Sequence, residues 1–447
     1  MTAGSVLRAK WIAAAAGLVL LSACAENEFI LPGERVGLRE VLDGPLADRP
    51  QDEARPENTA RDIALPAARA NTGWTHGIGT PRWRAAHPQL SGLSPAWSVP
   101  IGSGDSQRHR ITVDPVADDG RIFAIDSQNM LSAVSAAGEP LWTRDLTPAR
   151  DRSGEAHGGG MAIGDGVLYV ASGFGRLLAL DPASGDVLWD QKLQAPGTGK
   201  PTYYDGLIYL VAGDTTAWAL EAETGRIRWQ LEGASDVNNV SGGPAPALTD
   251  ELAIFAYGSG EVQAVFRKGG LARWNAVVAG QRDGHAVSLV TDITGGPVIE
   301  GEMVYAANNS GRLVAMRRDS GDRVWTAPEG AAGPIWPAGD SLFLVNDLGE
   351  LVRLDASDGS RIWGVELPHY VQDRPRRRAE IHPHHGPILA GGQVVVASGD
   401  EVIRTFDPRD GSLLETVPLP GGATADPIVM DGTLYVVSSR GQLHAFR

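Results

Sequence analysis

Short runs of alternating apolar and polar residues return along the chain from about residue 88 to its end, and no stretch between them holds the 3.6-residue period of a helix. Such alternation predicts strands with one face turned inward. The unit is clearest at residues 179–189 (ALDPASGDVLW), where one strand ends, a polar turn with Gly follows, and a second strand closes on Trp189. Residues 219–229 (ALEAETGRIRW), 264–274 (AVFRKGGLARW), 315–325 (AMRRDSGDRVW) and 353–363 (RLDASDGSRIW) repeat it, and 133–142 (AVSAAGEPLW) repeats it one residue shorter. Another turn opens each unit, at Asp119-Gly120, Asp165-Gly166, Asp205-Gly206, Asp250-Glu251, Glu300-Gly301, Gly339-Asp340, Gly391-Gly392 and Asp431-Gly432. These eight turns lie 39 to 52 residues apart.

Several short strands per forty-odd residues, repeated eight times without helices, predict an all-β fold, an eight-bladed β-propeller over residues 88–447. The closing tryptophans are Trp142, Trp189, Trp229, Trp274, Trp325 and Trp363; the seventh unit has Leu413-Leu414-Glu415 instead, and the eighth ends with the chain at Arg447. The strand missing there stands at the other end, at Leu93-Ser94-Pro95-Ala96-Trp97. The ring is therefore expected to close by pairing of N- and C-terminal strands, which removes an open sheet edge. A Trp at the end of each unit reads as structural, a large ring between blades whose indole N–H reaches a carbonyl of the neighbouring unit. Glycine, at 56 of 447 residues, is well above the average share of roughly 7 %, as many tight turns require.

The first residues differ. Arg8 and Lys10 precede an apolar run from Trp11 to Leu21 that is too short to span a bilayer, and Leu21-Ser22-Ala23-Cys24 follows. This has the form of a secretory signal at 1–23. The small residues before Cys24 resemble the bacterial lipobox, which implies cleavage before Cys24 and its acylation. Cys24 is the only cysteine, so no intramolecular disulfide forms. Residues 24–87, rich in Pro, Arg, Ala, Asp and Glu, read as a lipidated cysteine and flexible tether, with a weak apolar patch at 29–41 and a disordered stretch at 48–72. The net charge of −15 becomes two units more negative once Arg8 and Lys10 are removed, which argues against nucleic acid as a partner.

The pattern Ala-x-Asp-x-x-Ser/Thr-Gly-x-x-x-Trp resembles the tryptophan-docking repeat of pyrroloquinoline-quinone (PQQ) propellers, a family that includes the BamB lipoproteins of the outer-membrane β-barrel assembly machinery. Residues 158–162 (GGGMA), 169–175 (YVASGFG) and 290–298 (VTDITGGPV) are similar to segments of alphaproteobacterial BamB proteins. The resemblance implies a lipid-anchored scaffold without a cofactor on the periplasmic face of the outer membrane. Its partners would be the periplasmic domains of BamA and other subunits of the machinery, and its role to assist folding and insertion of outer-membrane proteins. Ala25 after Cys24, rather than Asp, agrees with outer-membrane sorting. The family's contact loop reads Asp-Val-Asp where this chain has Asp292-Ile293-Thr294, so Asp292 carries over and the second acid does not. Val237, Arg282 and Asp283 fall in the contact region by position only, and the family's loop arginine has no counterpart near Val237.

The other reading of the repeat is a PQQ-dependent periplasmic dehydrogenase. That chemistry needs an axial cofactor pocket, a catalytic base and Ca²⁺ ligands, and often a cysteine pair, which a single cysteine excludes. His382-Pro383-His384-His385 has the composition of a metal site, yet Glu380 is the only acid beside it; an exposed polar loop is expected. Arg374-Pro375-Arg376-Arg377-Arg378 is a basic run on an acidic chain. No Gly-x-Ser-x-Gly elbow stands between a strand and a helix, and the Trp189-Asp190 dipeptide lacks the Gly-His partner of a WD40 repeat.

Overall fold

Eight four-stranded antiparallel sheets form in the order the repeat predicts. The computed structural model describes residues 57–447 apart from positions 78, 81–86, 157, 194–198, 214, 235–242, 281, 283–291 and 373. Blade 2 is representative: Gly159–Gly164, Val167–Ser172, Arg176–Leu180 and Val187–Lys192 run from the axis outward. The two middle strands are buried almost throughout because both faces meet a neighbouring blade, and the outermost strand buries only alternate residues. This explains why the middle strands read as continuous apolar runs and the outer ones as alternating. Among the described residues the helical content is one 3₁₀ turn, Pro375–Arg377.

Blade 8 consists of Ile428–Met430, Thr433–Ser438 and Gln442–Phe446, with Pro95–Pro100 as its outermost strand. The two chain ends pair antiparallel, Trp97 opposite Ala445 and Val99 opposite Leu443, so the ring closes through strands from both termini.

The connection between the first and second strands of a blade, and that between the third and fourth, lie on one side of the ring, here the turn face. The remaining connections form the loop face. In blades 1, 2, 3 and 8 the inner turn is Asp-Gly, with φ of 48 to 49° at Asp119, Asp165, Asp205 and Asp431 and 70 to 76° at the following Gly. Two consecutive positive φ values make the mirror-image turn that fits the twist of a hairpin. The Asp250-Glu251 turn has no positive φ; there Thr249 Oγ1 accepts from the N–H groups of Glu251 and Leu252.

The reading of 24–87 as a flexible tether requires correction from residue 57 onward. Pro56–Arg447 forms one compact unit, so the ordered part begins some thirty residues before position 88. Thr59 N–H donates to the Ile362 carbonyl (2.9 Å), and Arg61 reaches Asp340 (2.8 Å) and Asp355 (2.6 Å) on blade 6. Asn71 Nδ2 donates to the Val429 carbonyl on blade 8, and Trp74 is fully buried. Low apolar content suggested disorder, but the segment needs no core of its own because it binds a surface the blades have built. Cys24 and the patch at 29–41 lie outside the described residues.

Candidate functional site

The seven tryptophans of the repeat stand in outermost strands. Trp97, Trp142, Trp189, Trp229, Trp274 and Trp325 each lie opposite an alanine of the third strand, and Trp363 lies opposite Arg353. Each indole N–H donates across to the next blade's outer turn, at the carbonyls of Ala136, Pro182, Ala222, Arg267, Arg318, Ala356 and Pro408 respectively, over 2.7 to 3.2 Å. The same turn presents a glycine to the ring; a Cβ on Gly225 would stand 2.7 Å from Trp189. In blade 7, Glu415 takes the tryptophan position, opposite Thr405. The cause lies in blade 8, whose third and fourth strands come from opposite chain ends, so no outer turn exists to receive an indole. The lock is omitted where its receptor is missing.

Of the residues expected at a partner contact, Arg282 and Asp292 belong to the loop face. Arg282 is held within the chain: its backbone N–H donates to Ser310 (2.7 Å), its guanidinium makes a bidentate pair with Asp347 (2.9 and 3.0 Å), and Nη2 also donates to the Pro328 carbonyl (2.7 Å). Asp292 is only 4 % exposed, and its carbonyl accepts from Asn309 N–H (2.9 Å). A side chain so covered does not present its carboxylate to a partner, which corrects the expectation of a surface acid there. Thr294, which replaces the second acid, donates to Asn309 Oδ1 (3.1 Å) and the Ala332 carbonyl (2.8 Å). Val237 and Asp283 lie outside the described residues.

The histidine cluster is not an exposed loop. His384 and His385 begin the innermost strand of blade 7, His384–Ala390. His384 Nε2 donates to the Pro368 carbonyl (3.0 Å) and Nδ1 accepts from Ser398 Oγ (2.7 Å), while burial pushes its pKa down to about 4. Among the described residues no group of three or more His, Cys, Asp or Glu side chains is placed to hold a metal ion. The basic run is exposed on the connection between blades 6 and 7, with the Arg378 guanidinium 4.7 Å from the Tyr370 ring centroid.

The axis of the ring is filled by the chain itself. Trp74 exchanges two backbone hydrogen bonds with Ala117 of blade 1 (2.6 and 2.8 Å), and the Thr75 carbonyl accepts from Ile163 of blade 2 (2.8 Å). His76 Nε2 accepts from the Tyr203 N–H of blade 3 (3.0 Å), which leaves the ring proton on Nδ1 beside Thr75 Oγ1 (2.8 Å). The Trp74 ring stacks on Trp336 of blade 6, with centroids 6.1 Å apart and planes at 19°. Toward the loop face, Lys200 Nζ donates to Asp114 Oδ2, Asp114 Oδ1 accepts from Asp426 N–H (3.0 Å), and Asp426 Oδ1 accepts from Gly386 N–H (2.9 Å). Burial disfavours the Lys200 charge, but Asp114 and Asp426 outweigh it and hold its pKa above the ordinary lysine value. Between this cluster and Gly77 remains a cavity of about 40 Å³.

The family described as outer membrane protein assembly factor BamB matches residues 127–365 and 369–447. The chain belongs to this family. The protein of that name from Yersinia pestis is 24 % identical over 359 residues, 78 % of this chain and 88 % of the relative. Among solved structures, BamB from Moraxella catarrhalis superposes with a TM-score of 0.66 at 18 % identity, over 79 % of this chain and 99 % of that one. A quinohemoprotein alcohol dehydrogenase from Comamonas testosteroni shares the fold, with a TM-score of 0.63 at 16 % identity over 85 % of this chain and 81 % of that one.

The propeller of a BamB family member thus shares its fold with a quinohemoprotein enzyme. A small-molecule site occupies roughly 300–1,000 Å³. The axial cavity is about 40 Å³, and the space beside Trp336 holds Trp74, so the described residues do not fit a bound quinone. Sequence reasoning missed the axial residues Trp74, His76, Asp114, Lys200 and Asp426 because they fall in connections or in the leading segment, outside the repeat. The one signal was a Trp and a His in a stretch otherwise read as tether.

Proposed function

We propose that this chain is a non-catalytic scaffold, anchored by an acylated Cys24 at the periplasmic face of the outer membrane. There it binds the periplasmic domains of BamA and assists folding and insertion of outer-membrane proteins. The observation that carries the reading is the filled axis: a family member whose own leading segment takes the place of a ligand works through its surface. The long connections at 233–246 and 279–297 form the contact in this reading, with Val237 and Asp283 supplying it. Arg282 and Asp292 act as positioning residues, fixing the ends of the second loop through Asp347 and Asn309.

Photocrosslinkers placed at positions 237 and 283 in cells are expected to capture BamA, while one at the buried position 292 captures little. Failure to recover BamA from both loops overturns the interface. Replacing residues 1–24 by a signal peptide that is cleaved without acylation is expected to move the protein from the membrane to the soluble periplasmic fraction. For the dehydrogenase reading, PQQ and Ca²⁺ added to the purified soluble protein are expected to give neither tight binding nor dye reduction; activity there overturns the scaffold.

A further inference from the structure

Carboxylates collect on the turn face, where inner turns carry Asp119, Asp165, Asp205, Asp250, Asp340 and Asp431. In two places a guanidinium fills the groove beside them. Between blades 3 and 4, the Arg267 side chain is 4 % exposed; Nη2 donates to Asp205 (2.5 Å), Nε donates to the Asp250 carbonyl (2.8 Å), and the group lies 4.8 Å from the Tyr204 ring centroid. On blade 6 two guanidinium groups meet Asp340: the buried Arg353 of the blade itself (3.5 Å), and Arg61, which an extended segment brings to Asp340 and Asp355.

The repeat places Ala222 of blade 3 where blade 4 has Arg267, since the two carbonyls receive the indoles of Trp189 and Trp229 in the same way. Asp165 likewise matches Asp205, each opening an Asp-Gly turn at φ 48°. Ala222 has no side chain that can fill the groove as Arg267 does, and Arg318, at the same position in blade 5, turns instead to Asp319 and the Gly301 carbonyl. Between blades 2 and 3 lies a cleft of about 550 Å³ whose lining includes Asp165, Tyr169, Trp189, Tyr203, Glu221 and Glu223. Tyr203 donates its hydroxyl to Asp165 and stacks on Tyr169, centroids 5.6 Å apart, so the wall is already ordered.

We infer that this cleft binds an arginine side chain presented by an extended segment of a partner polypeptide. A carboxylate rim over an aromatic wall suits arginine, whose planar head pairs with carboxylate oxygens while its apolar stem lies along the ring edges of Tyr169, Trp189 and Tyr203. Between blades 3 and 4 the buried guanidinium of Arg267 takes the short contact with Asp205 while the exposed Lys268 ammonium stays 3.8 Å away, and Arg61 shows an extended chain delivering a guanidinium to this face. The acidic balance of the protein steers such a partner toward it. The site is independent of the proposed BamA contact, which uses the loop face.

The test titrates the whole mature protein with N-acetyl-arginine amide and follows the Trp189 indole ¹⁵N–¹H signal, assigned by its loss in Trp189→Phe. A saturable shift is expected, at least tenfold weaker with N-acetyl-citrulline amide, which keeps the shape and lacks the charge. Asp165→Asn is expected to weaken binding tenfold. Ala222→Arg, which supplies the guanidinium from within the chain, is expected to abolish the shift and raise the thermal midpoint. Absence of a saturable shift, equal binding of the citrulline compound, or an unchanged titration in both variants overturns the inference. Tighter binding of phosphoethanolamine than of the arginine compound overturns it in favour of a lipid headgroup.

Discussion

Gly225 and Gly206 share a left-handed backbone, at φ 70° and 76°, but differ in what lies beside them. A Cβ on Gly206 meets nothing within 4 Å, whereas one on Gly225 enters the ring of Trp189. Gly206→Ala is expected to cost about 1–2 kcal/mol, the strain of a side chain in that conformation. Gly225→Ala is expected to cost about 1–3 kcal/mol more, because the indole must also move from its carbonyl on Ala222. Urea unfolding of the two variants checks this; equal midpoint shifts would mean the ring does not dock there. Both glycines were legible in the sequence as turn residues. Only the packing separates one that shapes a hairpin from one that receives a neighbour.

At the scale of elements, the leading segment is the part that the pattern of residues failed to disclose. Its His76 is buried and its pKa is lowered to about 3 by that burial, and the Nε2 lone pair is already engaged by the Tyr203 N–H. The unfolded chain binds this proton near pH 6.5 and the folded chain does not, so stability falls as pH drops from about 6.5 and levels off below about 3. His384 and His444, also lowered by burial, contribute with the same sign. Between pH 6.5 and 5, where unfolded carboxylates take up few protons, His76→Gln is expected to flatten the stability slope while the other two histidines keep their share. Chemical denaturation at stepped pH measures it, and an unchanged slope would show that His76 is not shielded in the ring.

For the whole molecule, closure is the decisive feature. Removing residues 1–100 strips the axial segment and the whole strand that pairs with Gln442–Phe446, leaving blade 8 three-stranded with an open edge. Broad, early thermal unfolding and rapid proteolysis of the C-terminal strands are expected; a sharp, native-like transition would mean that closure rests on something other than Pro95–Pro100.

The sequence by itself determined the eight units, their turns, the tryptophan lock and the pairing of the two ends, because strand alternation, turn chemistry and a bulky ring at a fixed offset are all local. The resemblance to the family pointed to the loops at Val237 and at Arg282, Asp283 and Asp292, though not to which side chains are exposed. Whether Asp292 faces solvent depends on residues such as Asn309 that a loop meets only after folding. Tertiary structure alone decided the fate of the axis: Trp74 lies over two hundred and fifty residues from Trp336, and no local pattern encodes that meeting. It decided too why Glu415 replaces a tryptophan, since the missing receptor turn arises from where the chain begins and ends in the ring.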